Sequence, residues 1–267
     1  MTASRFALLG APNCGKTVLF NGLTGSNAKV ANYAGVTVDR REGRFVDDPN
    51  VVVIDLPGTY SLRATSPDEK VARDVVLGKL GQQPDAIVSV ADATNLRMTL
   101  RMVLEVKTLG LPMVVSLNLS DVARHRGLKI DAAKLSELLG VPVLETAAID
   151  SRSMREVREA VARLPRKGEK PAHALTAEEA EKRLDALDSN ALYAQVEDIL
   201  HQVVRHELTL PAWHRQLDAI VMHPVWGMLI LMLILMLVFQ AVYAWAEPVM
   251  GMIEDSFAWL GDVITEN

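Results

Sequence analysis

Cysteine is all but missing: Cys14 stands alone among 267 residues. A single thiol excludes an intrachain disulfide and a four-cysteine zinc site, and nothing else in the chain needs an oxidising compartment. Glycine (16) and proline (12) are too scarce for collagenous or low-complexity architecture. With 49% apolar and 23% charged residues, intrinsic disorder is excluded as well. A basic stripe is also lacking. Five of the 33 acids (Glu247, Glu254, Asp255, Asp262 and Glu266) lie beyond residue 246 and no Lys or Arg follows Arg215, which leaves the first 246 residues with 28 charges of each sign. Such a neutral body argues against binding nucleic acid through its phosphates, which requires clustered Lys and Arg. The six histidines (His125, His173, His201, His206, His214 and His223) form no i, i+4 pair and no H-E-x-x-H motif, so no iron site is expected in this chain.

Charge disappears altogether between residues 219 and 246, and residues 225–246 (VWGMLILMLILMLVFQAVYAWA) are apolar apart from Gln240 and the tips of the aromatic rings. As a helix this stretch reaches about 33 Å, against a hydrocarbon core of about 30 Å. Trp226, Tyr243 and Trp245 near its ends suit the interfacial belts. A membrane span is expected; the alternative, a buried central helix, usually meets a charge within 18 residues. Basic residues before it (Arg205, Arg215) and only acids after it place residues 1 to about 220 in the cytoplasm. His223 ahead of Pro224 reads as an interfacial residue, and the face carrying Met222, Met228, Met232 and Met236 as lipid or helix packing. One span alone reads as the first helix of a bundle.

Residues 1–165 alternate short β-rich runs with helical stretches. The runs at 5–10 (RFALLG), 51–55 (VVVID), 86–91 (AIVSVA), 112–117 (PMVVSL) and 141–146 (VPVLET) are continuously apolar, as expected of parallel strands buried on both faces. Helices are predicted at 95–109 and 131–139, the latter stopped by Gly140. The class predicted is α/β, a doubly wound, mostly parallel sheet with helices on both faces. A solvated linker (RKGEKP, 166–171) opens a small helical domain at 166–217. There Thr176 and Glu179 form a capping box, and Leu192, Val196, Ile199, Leu200 and Val203 share one helix face. Residues 218–267 form the third part, with the span at about 225–246.

The chemistry lies in the first part. Residues 10–17 (GAPNCGKT) satisfy G-x-x-x-x-G-K-[ST] directly after a strand and before a helical run. Such a loop points successive backbone amides at phosphate oxygens, at a helix end whose partial charge favours anions. Gly10, Asn13, Cys14, Gly15, Lys16 and Thr17 are therefore the predicted phosphate cradle, with Lys16 on the β- and γ-phosphates and the Thr17 hydroxyl on Mg²⁺. A strand ending in D-x-x-G follows at 55–58. Asp55 can hold Mg²⁺ through a water, and the Gly58 amide can bond a γ-phosphate and release it; a plain strand-to-turn junction is the alternative. Asn118-Leu119-Ser120-Asp121 follows a further strand, and a carboxylate at Asp121 can accept both the N1 and N2 hydrogens of guanine, which selects GTP over ATP. Thr146, Ala147 and Ala148 follow the last strand and are placed near guanine O6. Between the first two motifs, Gly35, Val36 and Thr37 lie in a loop-like segment at 32–40. Thr37 is the candidate second hydroxyl ligand of Mg²⁺; an ordinary threonine of an edge strand is the alternative.

Together GAPNCGKT, GVTVD, DLPGTYSL, NLSD and TAA, with LFNGLTGS, VANYAGVTVDRREG, VADATNL and HPVWG, resemble the N-terminal region of the FeoB-type ferrous iron transporters across essentially the whole chain. The resemblance implies a small-GTPase-like domain at 1–165, a spacer at 166–217 similar to a guanine-nucleotide dissociation inhibitor, and the first helix of a transport domain in a bacterial inner membrane. It implies slow GTP hydrolysis to GDP, dependent on Mg²⁺ and stimulated by K⁺ held at Asn13, coupled to Fe²⁺ uptake. Asn13, Lys16 and Thr37 are then the catalytic set, because Thr59 stands where many GTPases carry a water-orienting Gln. The implied partners are the remaining transmembrane domain of the same polypeptide, the bilayer, small accessory iron-transport proteins and further copies of the chain, with no nucleic acid. Two departures stand out: Leu119 replaces the Lys of N-K-x-D, and Cys14 replaces an expected Ser. Cys14 reads as a small residue that merely fits; the alternative is a reactive thiol, since one at a helix N-terminus can have a lowered pKa. Two other functions remain open, a sensor that gates by GTP occupancy and a soluble regulatory GTPase.

Overall fold

The computed structural model of the chain describes residues 3–26, 28–32, 39–63, 66–147, 151–169, 175–206, 217 and 220–265. Residues 1–208 and 209–267 form two units.

In the first unit a seven-stranded sheet has the order β2-β3-β4-β1-β5-β6-β8. Its strands are β1 (Ser4–Gly10), β2 (Ala28–Asn32), β3 (Asp39–Arg44), β4 (Val51–Asp55), β5 (Ala86–Asp92), β6 (Met113–Asn118) and β8 (Val143–Glu145). The five predicted apolar runs are the parallel strands β4, β1, β5, β6 and β8. Their uniform apolarity follows from burial on both faces. Along β1, Phe6 and Leu8 enter one core cluster and Ala7 and Leu9 the other, as the two-residue side-chain period requires.

Strands β2 and β3 were not among the predicted runs. They add to β4 as an antiparallel extension, and β3 (DRREGR) has no apolar pattern because the ladder and its ion pairs hold it. Glu42 takes the guanidiniums of Arg5, at 2.8 Å, and of Arg40.

Helices cover both faces. On one lie α1 (Lys16–Thr24) and α6 (Ser151–Ala162), contributing Leu19, Phe20, Leu23, Val157 and Val161. On the other lie α2 (Pro67–Val76), α3 (Leu96–Lys107), α4 (Ser120–His125) and α5 (Ala132–Leu139). Gly140, at φ 66°, ends α5 as predicted.

The helices α7 (Ala177–Asp185) and α8 (Ser189–Val203) join that second cluster through Ala180, Leu184, Leu192, Val196, Ile199, Leu200 and Val203. Thr176 and Glu179 form the predicted capping box. Cations on the sheet body meet acids on these helices: Arg73 binds Glu181 and Asp185, Lys79 binds Glu181, and Arg97 binds Glu197. After α8, β9 (Val204–His206) pairs with β7 (Lys129–Ile130), and Arg205 reaches Asp131 at 2.6 Å. The Lys134 amide and Arg205 hold the Asp131 carboxyl below its ordinary range.

The second unit contains α9 (Trp226–Thr265). Its window Trp226–Ala244 is long and apolar enough to cross a membrane, with mean hydropathy 2.4 and none of it buried. The helix continues past the expected end near 246, through Pro248 to Thr265. A proline removes a single helical hydrogen bond, and Met250, Ile253 and Phe257 continue an apolar stripe beyond it. His223 has a local role at its start: Nδ1 accepts from the amides of Val225 and Trp226 at 3.2 and 3.3 Å. A side chain at Gly227 would lie 2.2 Å from the Val221 carbonyl oxygen, so HPVWG fixes the helix start.

Candidate nucleotide site

The site sits at the carboxyl ends of β1, β4, β6 and β8, where parallel α/β sheets bind ligands. β1 delivers Gly10, where a Cβ would lie 2.8 Å from Cys14 Sγ and 3.0 Å from Val90. The loop then turns through two left-handed positions, Asn13 (φ 62°) and Gly15 (φ 84°), before α1 begins. The amides of Asn13, Gly15 and Thr17 donate to no backbone acceptor among the described residues. These are free donors at and just before the N-terminus of α1, a position whose partial charge favours anions.

Lys16 Nζ donates to Asp55 Oδ1 and to the Leu56 carbonyl, which brings together the cation of the first motif and the carboxylate of the second. Asp55 is buried at the end of β4, whereas Thr17 is exposed. The D-x-x-G turn lies directly on the loop. The Thr59 amide donates to the Gly10 carbonyl at 3.1 Å, and a Cβ on Gly58 would stand 3.1 Å from Pro12 N. Thr59 itself is buried, its hydroxyl donating to the Ser61 carbonyl at 2.6 Å.

Asn118 is a strut. Its Nδ2 donates to the Cys14 carbonyl at 2.8 Å, and its Oδ1 accepts from the Thr146 hydroxyl at 3.2 Å, which also bonds Ser116 Oγ at 2.7 Å. The loop, β6 and β8 are thereby tied into one frame. A Cβ at Gly15 would be 2.1 Å from Asn118 Nδ2, so Asn118 needs Gly15 bare. Leu119 takes φ 60° to turn the chain into α4, placing Asp121 in its first turn. The Asp121 carboxylate has no partner among the described residues.

One expectation changes. The Thr146 amide donates to the Leu117 carbonyl at 2.9 Å, extending the sheet, so it is not free for a ligand, and the Ala147 amide faces Ser153 Oγ at 3.4 Å. Cys14 is fully buried, and that desolvation pushes its thiol up to about 11, outweighing the Lys16 amide and charge. Cys14 thus fills the core behind the loop, the small residue expected there, and the reactive alternative has no support. Gly35, Val36, Thr37 and Ala148 lie outside the described residues.

Sequence reasoning missed Glu105. It is fully buried on α3 and accepts from Ser61 Oγ (2.9 Å), the Leu62 amide (2.6 Å) and Arg101 Nε (3.2 Å). Its signal was present: a carboxylate among apolar residues in LRMTLRMVLEVK.

A family profile described as ferrous iron transport protein B matches residues 4–161. The chain belongs to that family. The Fe(2+) transporter FeoB of Escherichia coli (strain K12) is 42% identical over 161 residues, covering 58% of this chain and 20% of that protein. The chain thus spans about a fifth of the length of such relatives. The cytosolic domain of L. pneumophila FeoB superposes with a TM-score of 0.66 at 31% identity, covering 76% of this chain and 100% of that one. A GDP-bound mutant of S. thermophilus NFeoB gives 0.65 at 28% identity, over 75% and 99%. The cytosolic domain of T. maritima FeoB in its GMPPNP form gives 0.62 at 29%, over 76% and 100%. The first unit is thus a P-loop GTPase fold of the FeoB type.

Proposed function

We propose that the chain is the GTP-binding and GTP-hydrolysing regulatory part of a ferrous iron transporter of the bacterial inner membrane. The observation that carries this reading is the row of free amides ending in the Lys16–Asp55 pair at the end of β1. GDP and GMPPNP in related structures are guanine nucleotides, and the Asp121 carboxylate, without a partner among the described residues, supplies the acceptor that guanine's N1 and N2 hydrogens require.

In this reading the amides of Asn13, Gly15 and Thr17 and Lys16 Nζ hold the phosphates, and Gly58 senses the γ-phosphate through its amide. Hard oxygen donors at Thr17 and Asp55 fit magnesium, with Thr37 the second hydroxyl and Asp55 acting through a water. The Asn13 amide oxygen suits potassium. Bound cations would neutralise charge developing on the phosphates, as an arginine finger does elsewhere. Gly35, Val36, Ala147 and Ala148 complete the nucleotide surround, and Cys14 and Asn118 set the loop's shape. The G domain is taken as 1–165 and the spacer as 166–217, and the 226–244 window crosses the bilayer with residues 1 to about 220 cytoplasmic. The remaining membrane domain of the same polypeptide carries Fe²⁺, and small accessory proteins or further copies are its other partners.

Phosphate release from GTP, measured in KCl and in NaCl at equal ionic strength, tests the reading. A faster rate in KCl that Asn13→Ala abolishes is expected. Calorimetry that shows no heat with GTP or GDP on folded protein would overturn it. One observation favours a second reading, an occupancy sensor with little turnover: buried Thr59 offers no water-orienting side chain. Negligible release in both salts with intact GTP binding would select the sensor.

A further inference from the structure

The segment after the D-x-x-G turn is held by a carboxylate that the proposed chemistry does not use. Glu105 is completely buried, and a buried carboxylate is tolerated only while donors surround it. Two of its three donors, the Ser61 hydroxyl and the Leu62 amide, belong to that segment, three and four residues beyond Gly58. The third is Arg101 Nε, one turn back on α3. Arg101 also faces α8: Nη1 donates to Tyr193 Oη at 2.6 Å, and its guanidinium carbon lies 4.9 Å from the centre of the Tyr193 ring. Arg63, from the same segment, reaches Ser189 Oγ at the start of α8. Tyr60, Met98 and Tyr193 line the cavity of about 340 Å³ along this seam, room for side chains to rearrange.

We propose that Glu105 is a positioning residue, coupling the segment after the D-x-x-G turn to α8 through Arg101 and Tyr193. This rests on the nucleotide-site reading above and names its regulation. If the Ser61–Leu62 segment withdraws, Glu105 loses the Ser61 and Leu62 donors and draws harder on Arg101. Arg101 cannot then keep the same geometry toward Tyr193. A change at α8 runs the same path in reverse, because coupling between two sites is reciprocal.

Tyr193→Phe, Glu105→Gln and the double variant of the full chain, in lipid nanodiscs, test this through the ratio of dissociation constants for GDP and a non-hydrolysable GTP analogue. Tyr193→Phe removes only an exposed hydroxyl. Glu105→Gln keeps an acceptor for Leu62 but turns an amide N–H toward another donor. Each single change is expected to shift the ratio by roughly fivefold, and the double variant no further than Glu105→Gln alone. Additive shifts, an unchanged ratio in Tyr193→Phe, or both affinities falling together with thermal stability would each overturn the coupling while leaving the site reading intact. A parent chain that binds neither nucleotide would overturn both. If Glu105→Gln does not fold, Arg101→Lys, which keeps the charge and loses the fork, takes its place in the cycle with the same outcomes.

Discussion

Gly15 and Asn118 are 103 positions apart in the chain, yet a single added carbon makes them collide. Gly15→Ala places its Cβ 2.1 Å from Asn118 Nδ2 and holds an L side chain at φ 84°. The left-handed conformation costs about 1–2 kcal/mol. Expelling the Asn118 amide strands the buried Cys14 carbonyl, worth about 1–3 kcal/mol more. Asn118→Ala alone strands the same carbonyl and loses the bond from Thr146, whose hydroxyl keeps Ser116; about 2–4 kcal/mol is expected. In the double variant the collision is gone and the carbonyl is counted once, so only the left-handed cost adds to Asn118→Ala. The two changes should fall short of additivity by about 1–3 kcal/mol. Urea unfolding of the four proteins, followed by circular dichroism, measures this. Additivity within about 0.5 kcal/mol would refute the strut, since it would mean that Asn118 does not lie against Gly15.

The raised thiol of Cys14 predicts a pH dependence. Its folded value of about 11 lies above the ordinary thiol value of 9.0, so the contribution of the neutral thiol is fully present below pH 9 and is lost as pH rises to about 11. Relative to Cys14→Ala, the parent should therefore lose about 2–3 kcal/mol across that window, and equal slopes for the two proteins would sink this assignment. Iodoacetamide at pH 8 should label the folded chain far more slowly than the urea-unfolded one; equal rates would mean an accessible thiol. Asp121→Asn should weaken GTP about a hundredfold, two charge-assisted bonds being lost, and favour xanthosine nucleotides, whose ring offers an acceptor to the new amide; retained guanine preference in competition binding would remove Asp121 from the site. Thr37→Ala should leave the GDP dissociation constant unchanged and weaken the GTP analogue in Mg²⁺, and parallel changes for both nucleotides would reject its ligand role.

Elements whose signal is local were legible in the sequence. The parallel strands were visible because burial on both faces demands unbroken apolar runs, and the cradle because only glycine and small residues let a backbone turn that tightly before a helix. The long apolar helix needed only length and the absence of charge. β2 and β3 were not legible: β3 is mostly charged and is a strand only because β4 offers a free edge.

By itself, then, the sequence determined the phosphate loop, the order of its companion motifs and the apolar helix, each fixed by residues adjacent in the chain. Tertiary structure alone decided what those residues do to one another. It made Asn118 a strut behind the loop and placed the Thr146 amide in the sheet. It silenced the Cys14 thiol by burial and set Glu105 against Ser61 and Leu62. The physical reason is common to all four: hydrogen-bond partners and desolvation depend on which groups the sheet brings within about 3 Å, and residues scores of positions apart carry no mark of that proximity.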